Sequence, residues 1–330
     1  MNLQFVVSNQ TNPYWNIAVE NYLLSLPETD TVTLYLWRNR RTVVIGQNQN
    51  PFSECNVEAL EADGGFLMRR RTGGGAVYHD DGNINFSFVV PKALYDQTRQ
   101  FSVIQRAVAD FGIVAELSGR NDLLAIERDR SGANDASKDG RKFSGNAFSK
   151  GKYQDLHHGT ILIRGNMEDL QRYLKPKPAK LQKHGVTSVR SRVVNLSELN
   201  PAVTSESIVP HLLSAFEDVY GGNATEVAFS EIISRPEVKA LYEEFASPEW
   251  KYGRWRSFTA QRTAQFDWGG VELSLTIEND VITDVQLASD ALDLVALDEA
   301  RRLLSGASTA TPPPHAPHPV VDDILSLVYG

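Results

Sequence analysis

Residues 69–88 read RRRTGGGAVYHDDGNINFSF. Three arginines and a threonine run into three consecutive glycines, and the apolar run that follows reaches Tyr78, His79 and a Gly-Asn turn. FLMRR before the glycines has strand character, as do AVYH and INFSFVV after them, so the spacing predicts a loop inside a sheet and not the start of a helix. That placement excludes the two commonest phosphate loops. A Walker loop needs Gly-Lys-Ser/Thr at a helix start, and a dinucleotide fingerprint needs G-x-G-x-x-G opening a helix. Consecutive glycines still let successive N–H groups converge on an anion, and neighbouring arginines can neutralise phosphate or carboxylate. A tight inter-strand bend is the plainer reading of the same residues.

Two further clusters share this polar chemistry: GRNDLLAI at 119–126 and GRKFSGNAFSK at 140–150. Taken singly, Asn121, Asp122, Arg141 and Lys142 read as ion pairs at sheet edges. Together with a glycine anion loop they supply what is needed to clamp a triphosphate with a divalent metal on a carboxylate.

Working outward, TNPYWNIAVENYLLSL carries a polar cap, an early proline and apolar residues at helical spacing. VTLYLW and TVVIG read as strands about a charged turn at Arg38–Arg41, VEALEAD as a short helix, and FSVIQRAVADFG as an amphipathic helix closed by Gly112. IVAEL, DLLAIE, RKFSGNAFSK and LHHGTILIRG return to strand character, and helices are predicted near Asp169–Leu174, Ser205–Tyr220 and Pro236–Phe245. Residues 127 to 140 are polar, contain glycine and lack any apolar period, which predicts a mobile surface loop. From Trp250 the texture changes to short alternating strands joined by Gly-Gly and Asn-Asp turns, then Leu292–Leu304, a proline-rich connector and a final helix Val321–Tyr329. The expected division is a catalytic unit at 1–245 and a small accessory unit at 246–330.

The chain of 330 residues is 42% hydrophobic and 22% charged, enough to bury a large core. A net charge of −8 argues against a nucleic-acid binder that works through bulk electrostatics. The single cysteine, Cys55, excludes an internal disulfide or a cysteine-rich zinc site and fits a reducing compartment, with cytoplasm the simplest expectation. No basic start with an apolar h-region and no membrane-length apolar run is present, so neither export nor a membrane partner is expected. Nothing demands more than a monomer.

With these segments assembled, the sequence resembles the lipoate–protein ligases over nearly its whole length. PYWNIAVENYLL, LYLWRNRRTVVIGQNQNPFSECN, RRRTGGGAVYHDDGN, SGRNDLLAI, DGRKFSGNAF, HHGTILI, VTSVRSRVVNL and FDWGGVEL follow the family's order. The joint presence of the Arg-Arg-x-Ser/Thr-Gly-Gly-Gly-Ala-Val-x-His-Asp signature and the Lys-x-Ser-Gly element makes the likeness specific. The loop 127–140 is longer and more polar than the family's core pattern, and Thr72 and Tyr78 stand where serine and phenylalanine are also seen. The resemblance implies an α+β fold shared with biotin ligases and class II aminoacyl-tRNA synthetases: a mixed, largely antiparallel sheet flanked by helices, with a small C-terminal domain. It implies a two-step ligase in which ATP and Mg2+ activate (R)-lipoate as lipoyl-AMP, with no permanently bound cofactor. A lysine of apo lipoyl domains, carried by 2-oxoacid dehydrogenase complexes and the glycine cleavage H protein, then takes the lipoyl group.

Carried onto this sequence, the resemblance makes Lys142 the catalytic cation, able to touch both the lipoate carboxyl and the phosphate. Arg70, Gly75, Ala76, Val77, Tyr78 and Asn121 join Lys142 at ATP, and Gly74, His79 and His158 join it at lipoate. Asp122 is the candidate for magnesium. Whether Arg69 or Arg71 also meets phosphate stays open. Trp37, Val44, Phe86 and Phe148 are candidates for an apolar lipoate tunnel, and the loop 127–140 for a cover over the adenylate. His157 and His158, adjacent on a strand, point to opposite faces and do not share a metal. The rivals are an octanoyl or lipoyl transferase using Cys55 as nucleophile without ATP, a biotin ligase, whose Gly-Arg-Gly-Arg loop is absent, and a non-catalytic ligand carrier.

Overall fold

The computed structural model describes residues 1–27, 30–119, 121–126, 140–175, 193–252 and 260–329. Residues 127–139 of the expected cover loop and 186–192 of VTSVRSRVVNL lie outside the described residues.

One large sheet organises the first unit. Its strands are β1 (Asn2–Val7), β2 (Thr31–Trp37), β6 (Asn83–Pro91), β7 (Val114–Ser118), β8 (Asp122–Ile126), β9 (Arg141–Lys150), β10 (Gln154–Leu162) and β11 (Ala224–Glu226). They lie in the order β11-β1-β2-β6-β10-β9-β8-β7. The β11–β1–β2 edge is parallel and every other pairing is antiparallel. The fold is therefore the mixed, largely antiparallel α+β arrangement that the family resemblance implies.

Strand alternation explains why this sheet is covered on both faces. In β2 and β6, Leu34, Leu36, Phe86, Phe88 and Val90 enter one core with the helices Gln97–Ala109 and Ile208–Tyr220. The intervening Tyr35, Trp37 and Val89 enter a second core with the helices Pro13–Ser25 and Pro236–Ala246. All nine residues of β6 are consequently buried. The two adjacent histidines of β10 divide in the same way. His157 packs among Phe86, Phe88, Phe101 and Phe148, while His158 faces the other layer.

A smaller sheet of β3 (Thr42–Ile45), β4 (Phe66–Arg69) and β5 (Val77–His79) sits beside the second core in the order β4-β3-β5. β4 and β5 flank the glycines but do not pair with each other. Each pairs with β3, β4 parallel and β5 antiparallel, so the loop bridges the width of this sheet. Asn12, Asn50 and Asn56 cap the successive helices Pro13–Ser25, Pro51–Glu54 and Val57–Ala62 through their side-chain oxygens, two of these helices having proline in the first turn.

The C-terminal residues form an antiparallel meander, β12 (Ala260–Phe266), β13 (Gly269–Glu278) and β14 (Val281–Ser289). The helices Leu294–Leu304 and Pro319–Tyr329 cover it with a separate core that includes Leu273, Leu287, Leu297 and Ile324. In the helix Pro248–Tyr252, Trp250 packs on Phe245 and its indole donates to the Arg69 carbonyl. No helix among the described residues is long and apolar enough to cross a membrane.

Candidate active site

The glycine loop is held open from the inside. Arg70 is buried, and its guanidinium donates to the carbonyls of Gly73 (2.8 Å), Gly75 (2.9 Å) and Val44 (3.4 Å) and to Thr72 Oγ1 (3.0 Å). Burial depresses it to about 10, which still leaves it cationic at neutral pH. With the carbonyls of residues 73 and 75 tied to one guanidinium, the loop turns around Arg70 as a hub. Gly74 takes φ +95°, a conformation that disfavours any side chain. A Cβ on Gly73 would lie 2.2 Å from the Ala291 carbonyl, because the accessory unit rests directly on the loop. Gly74 N donates to that same carbonyl at 3.2 Å.

The neighbouring arginines face elsewhere. Arg69 donates to the carbonyls of Gln47, Gln49, Trp250 and Lys251, fastening the segment after β3 to the helix Pro248–Tyr252. Arg71 forms a two-pronged pair with Glu244, 2.8 Å to each oxygen, and lies over the rings of Phe245 and Trp250. Neither side chain lines the cavity beside the loop.

That cavity has a volume of about 520 Å3. Its apolar lining comes from Ile17, Trp37, Val44, Met68 and Val77 of the second core, with His79 and His158 also lining it. Its polar lining includes Asn121, the Asp122–Lys142 pair and Arg70, with Gly74, Gly75 and Ala76 of the loop. The accessory unit adds a rim that includes Asp267, Trp268, Asp290 and Leu292. Trp268 is fixed by a 2.7 Å hydrogen bond from its indole to Asp323 of the last helix and by stacking on Phe266.

The structure thus brings Arg70, Gly74, Gly75, Ala76, Val77, His79, Asn121, Asp122, Lys142 and His158 to one cavity. Tyr78 is the exception. Its side chain turns into the core beside Tyr173, its hydroxyl donates to Asp169 and its backbone pairs with Val43, so the residue does not line the cavity. Of the four tunnel candidates, Trp37 and Val44 line the cavity, whereas Phe86 and Phe148 lie on the opposite face of the sheet. The reason is parity: Phe86 pairs with Leu36 and shares its face, and Asn85 pairs with Trp37 and shares the cavity's.

Sequence reasoning missed Glu20. Its carboxylate, 1% exposed, accepts from Ser87 Oγ at 2.5 Å and from His158 Nδ1 at 2.8 Å, while His158 Nε2 faces Thr72 Oγ1 at 2.9 Å. Ser87 in turn accepts from the Trp37 indole. A continuous chain of hydrogen bonds therefore runs from Arg70 through Thr72, His158, Glu20 and Ser87 to Trp37. A carboxylate three residues after Ile17, on the apolar face of its helix, was the available signal. His79 is buried, with Nδ1 3.3 Å from the Asn39 amide and no partner at Nε2 among the described residues. Burial, with Arg70 and His158 nearby, lowers it to about 3, so at neutral pH it offers an uncharged ring to the cavity.

Lys142 Nζ lies 2.8 Å from Asp122 Oδ1. That oxygen accepts no directed hydrogen bond among the described residues, which makes the contact Coulombic. No cluster of three or more histidine, cysteine or carboxylate ligands occurs among the described residues, and the carboxylates lining the cavity are Asp267 and Asp290 of the C-terminal unit and Asp122, beside Lys142. Magnesium fits such a position, because it takes one or two protein oxygens and completes its shell with water and phosphate. Cys55 is fully buried in the small-sheet core, away from the cavity lining, and burial pushes its thiol up to about 12.

Comparison with known proteins agrees with this geometry. Residues 12–217 match the lipoyl protein ligase A/B catalytic domain family, and residues 256–311 match the bacterial lipoate protein ligase C-terminus family. A lipoate-protein ligase A of Psychrobacter cryohalolentis is 38% identical over 312 residues, covering 92% of this chain and 88% of the relative. One from Bdellovibrio bacteriovorus is 37% identical over 306 residues, with the same coverage of 92% and 88%. The crystal structure of P. falciparum LipL1 in complex with lipoate superposes with a TM-score of 0.78 at 32% identity, covering 93% of this chain and 90% of that one. A lipoate-protein ligase A bound with ATP shares the fold, with a TM-score of 0.64 at 24% identity over 77% of this chain and 99% of that one. The catalytic match runs through the glycine loop, β8 and β9, and the second match covers most of the unit resting on that loop, so the chain belongs to the lipoate–protein ligase family and is a ligase enzyme.

Proposed function

We propose that the enzyme condenses the carboxylate of (R)-lipoate with ATP to lipoyl-AMP and pyrophosphate, then transfers the lipoyl group to a lysine of an apo lipoyl domain. The observation that carries this reading is a single cavity in which an apolar arm meets a glycine loop and the Lys142 ammonium. A carboxylate approaching the α-phosphate meets like charge, and a fixed cation lowers that barrier.

In the first step the carboxylate oxygen attacks the α-phosphorus, the bond to the bridging oxygen breaks, and pyrophosphate leaves with the electron pair. Lys142 contacts the attacking carboxylate and the α-phosphate together, and Arg70 holds the loop whose amides face the phosphates. His79 and His158 bound the acyl arm alongside Trp37. Mg2+, held by Asp122 and the phosphates, would neutralise phosphate charge. In the second step the acceptor amine attacks the acyl carbon, AMP leaves, and the amine proton is released. The acceptors proposed are the acyltransferase subunits of 2-oxoacid dehydrogenases and the glycine cleavage H protein. A neighbouring structure described as an archaeal ligase with its E2 lipoyl domain, from Thermoplasma acidophilum, supports that class of partner.

The division into a catalytic unit and an accessory unit near residue 246 belongs to this proposal. The separate core from Ala260 onward supports it, and the packing of Trp250 on Phe245 favours a boundary a few residues later. The ATP-free transferase reading is disfavoured by Cys55, whose thiol is buried, made a poor nucleophile by that burial, and absent from the cavity lining. Incubation with ATP, Mg2+, lipoate and an apo lipoyl domain, followed by the intact mass of the acceptor, tests the reading. One lipoyl addition that requires ATP is expected. Modification without ATP indicates the transferase, and none under any condition the carrier.

A further inference from the structure

The backbone of Lys142 is fixed from two sides, by pairing with Leu124 on β8 and by a bridge to Val193, with Val194 N donating to the Lys142 carbonyl at 2.9 Å. The β8–β9 ladder shifts register there. Leu123 pairs with Ser144 but Leu124 pairs with Lys142, leaving Phe143 as the extra residue of a bulge. Phe143 is buried in the core opposite the cavity. Bulges commonly re-aim a side chain beside an active site, and this one leaves the Lys142 chain running along its own strand toward residue 145.

Residue 145 is a glycine, and not for backbone reasons. Its φ lies outside the left-handed region, and alanine would suit the strand. A Cβ placed there would lie 2.9 Å from Lys142 Nζ and 3.1 Å from Lys142 Cε, and, the flanking residues 144 and 146 apart, these are the only atoms within 4 Å among the described residues. The space that a side chain at 145 would fill is thus the space in which the lysine tip rests, with Asp122, paired to Gly145 across the ladder, at its end.

We propose that Gly145 and Asp122 form a rest position for the Lys142 ammonium: the missing side chain leaves a trough for the lysine tip, and the carboxylate holds the cation until entering anions draw it away. This rests on the adenylating role proposed for Lys142 and makes Gly145 a positioning residue for that role. The two partners are 37% and 34% exposed at the side chain, so the pair is weak enough to exchange. The phosphates and the lipoate carboxylate bring more negative charge than the one carboxylate they displace.

The experiment uses the full-length enzyme without ligands. Lysines are trace-labelled with acetic anhydride, and labelling of Lys142 is measured by peptide mass spectrometry against exposed Lys150 in wild type, Gly145→Ala and Asp122→Asn. Pyrophosphate release with ATP and lipoate is followed in parallel for wild type and Gly145→Ala. Both variants are expected to raise relative Lys142 labelling roughly fivefold. Gly145→Ala is expected to lower kcat between about tenfold and a hundredfold with KM for ATP little changed, as for a misplaced catalytic group. A merely structural glycine would move the melting temperature instead. Labelling of Lys142 at wild-type level in both variants overturns the proposal. So does a lower kcat with unchanged labelling in Gly145→Ala, which would mean that the glycine makes room for substrate. Failure of the wild type to release pyrophosphate sinks the adenylating reading instead, while the labelling comparison still decides where the ammonium rests.

Discussion

The glycine loop and strand β9 both bring cations to one cavity, and they hold them in opposite ways. At residues 69–71 each guanidinium is committed to protein: Arg69 to backbone carbonyls on two segments, Arg70 to the inside of its own loop, Arg71 to Glu244 and two aromatic faces. At residue 142 the backbone is pinned while the ammonium meets a single carboxylate without directed geometry. The difference separates scaffold from reagent. In the mechanism we propose, the cation that stabilises changing charge cannot be locked to protein carbonyls, and the loop beside the phosphates needs a brace.

Breaking the scaffold gives the largest expected effect. Arg70→Ala leaves three carbonyls and a hydroxyl without their buried donor, an expected cost of about 3 kcal/mol and a fall of roughly 5–10 °C in the melting temperature, with adenylation lost. Calorimetry with a pyrophosphate assay checks this, and an unchanged melting temperature would show that the loop holds its shape alone.

Acid sharpens the comparison next. His79 and His157 are buried with their basicity depressed, so folding favours their neutral forms. The folded state binds fewer protons than the unfolded one. Stability is therefore full above about pH 6.5 and falls as the pH drops toward 3, by up to about 1.4 kcal/mol per pH unit for each histidine. Urea midpoints at pH 7, 6 and 5 should decline in that order, and His157→Gln should flatten the decline. A flat series in the wild type contradicts the burial argument.

Arg71→Gln removes a half-exposed pair and two ring contacts, and about 1 kcal/mol of stability with a nearly unchanged kcat is expected. A large loss of kcat there would place Arg71 at the phosphates. The smallest effect belongs to Cys55→Ser. Activity should stay within about twofold, since the thiol lies in the small-sheet core and off the cavity. Loss of turnover would revive the covalent transferase.

Much of this was legible in the sequence, because the signals were local. Strand alternation in INFSFVV and LHHGTILIRG, the polar cap and early proline of TNPYWNIAVENYLLSL and the Gly-Asn and Asn-Asp turns all gave elements that the structure contains. The cavity residues came from three motifs that the fold brings together. What stayed hidden depends on pairing at a distance. Trp250 and Lys251, which accept from Arg69, and Glu244, which pairs with Arg71, lie more than 170 residues away, so nothing near RRR distinguishes a staple from a phosphate ligand. Phe86 looks as good a tunnel wall as Trp37 until the β2–β6 register sets Phe86 opposite Leu36. Glu20 shows as a charge on an apolar helix face, but its role needs His158, 138 residues on.

The most direct test of the central claim is the pre-steady-state burst of pyrophosphate from Lys142→Ala at saturating ATP and lipoate, with its melting temperature measured alongside. The account predicts a burst slowed by roughly 10²–10³ in a protein of near wild-type stability, because the lost group is a reagent and not a brace. A burst at the wild-type rate would contradict it.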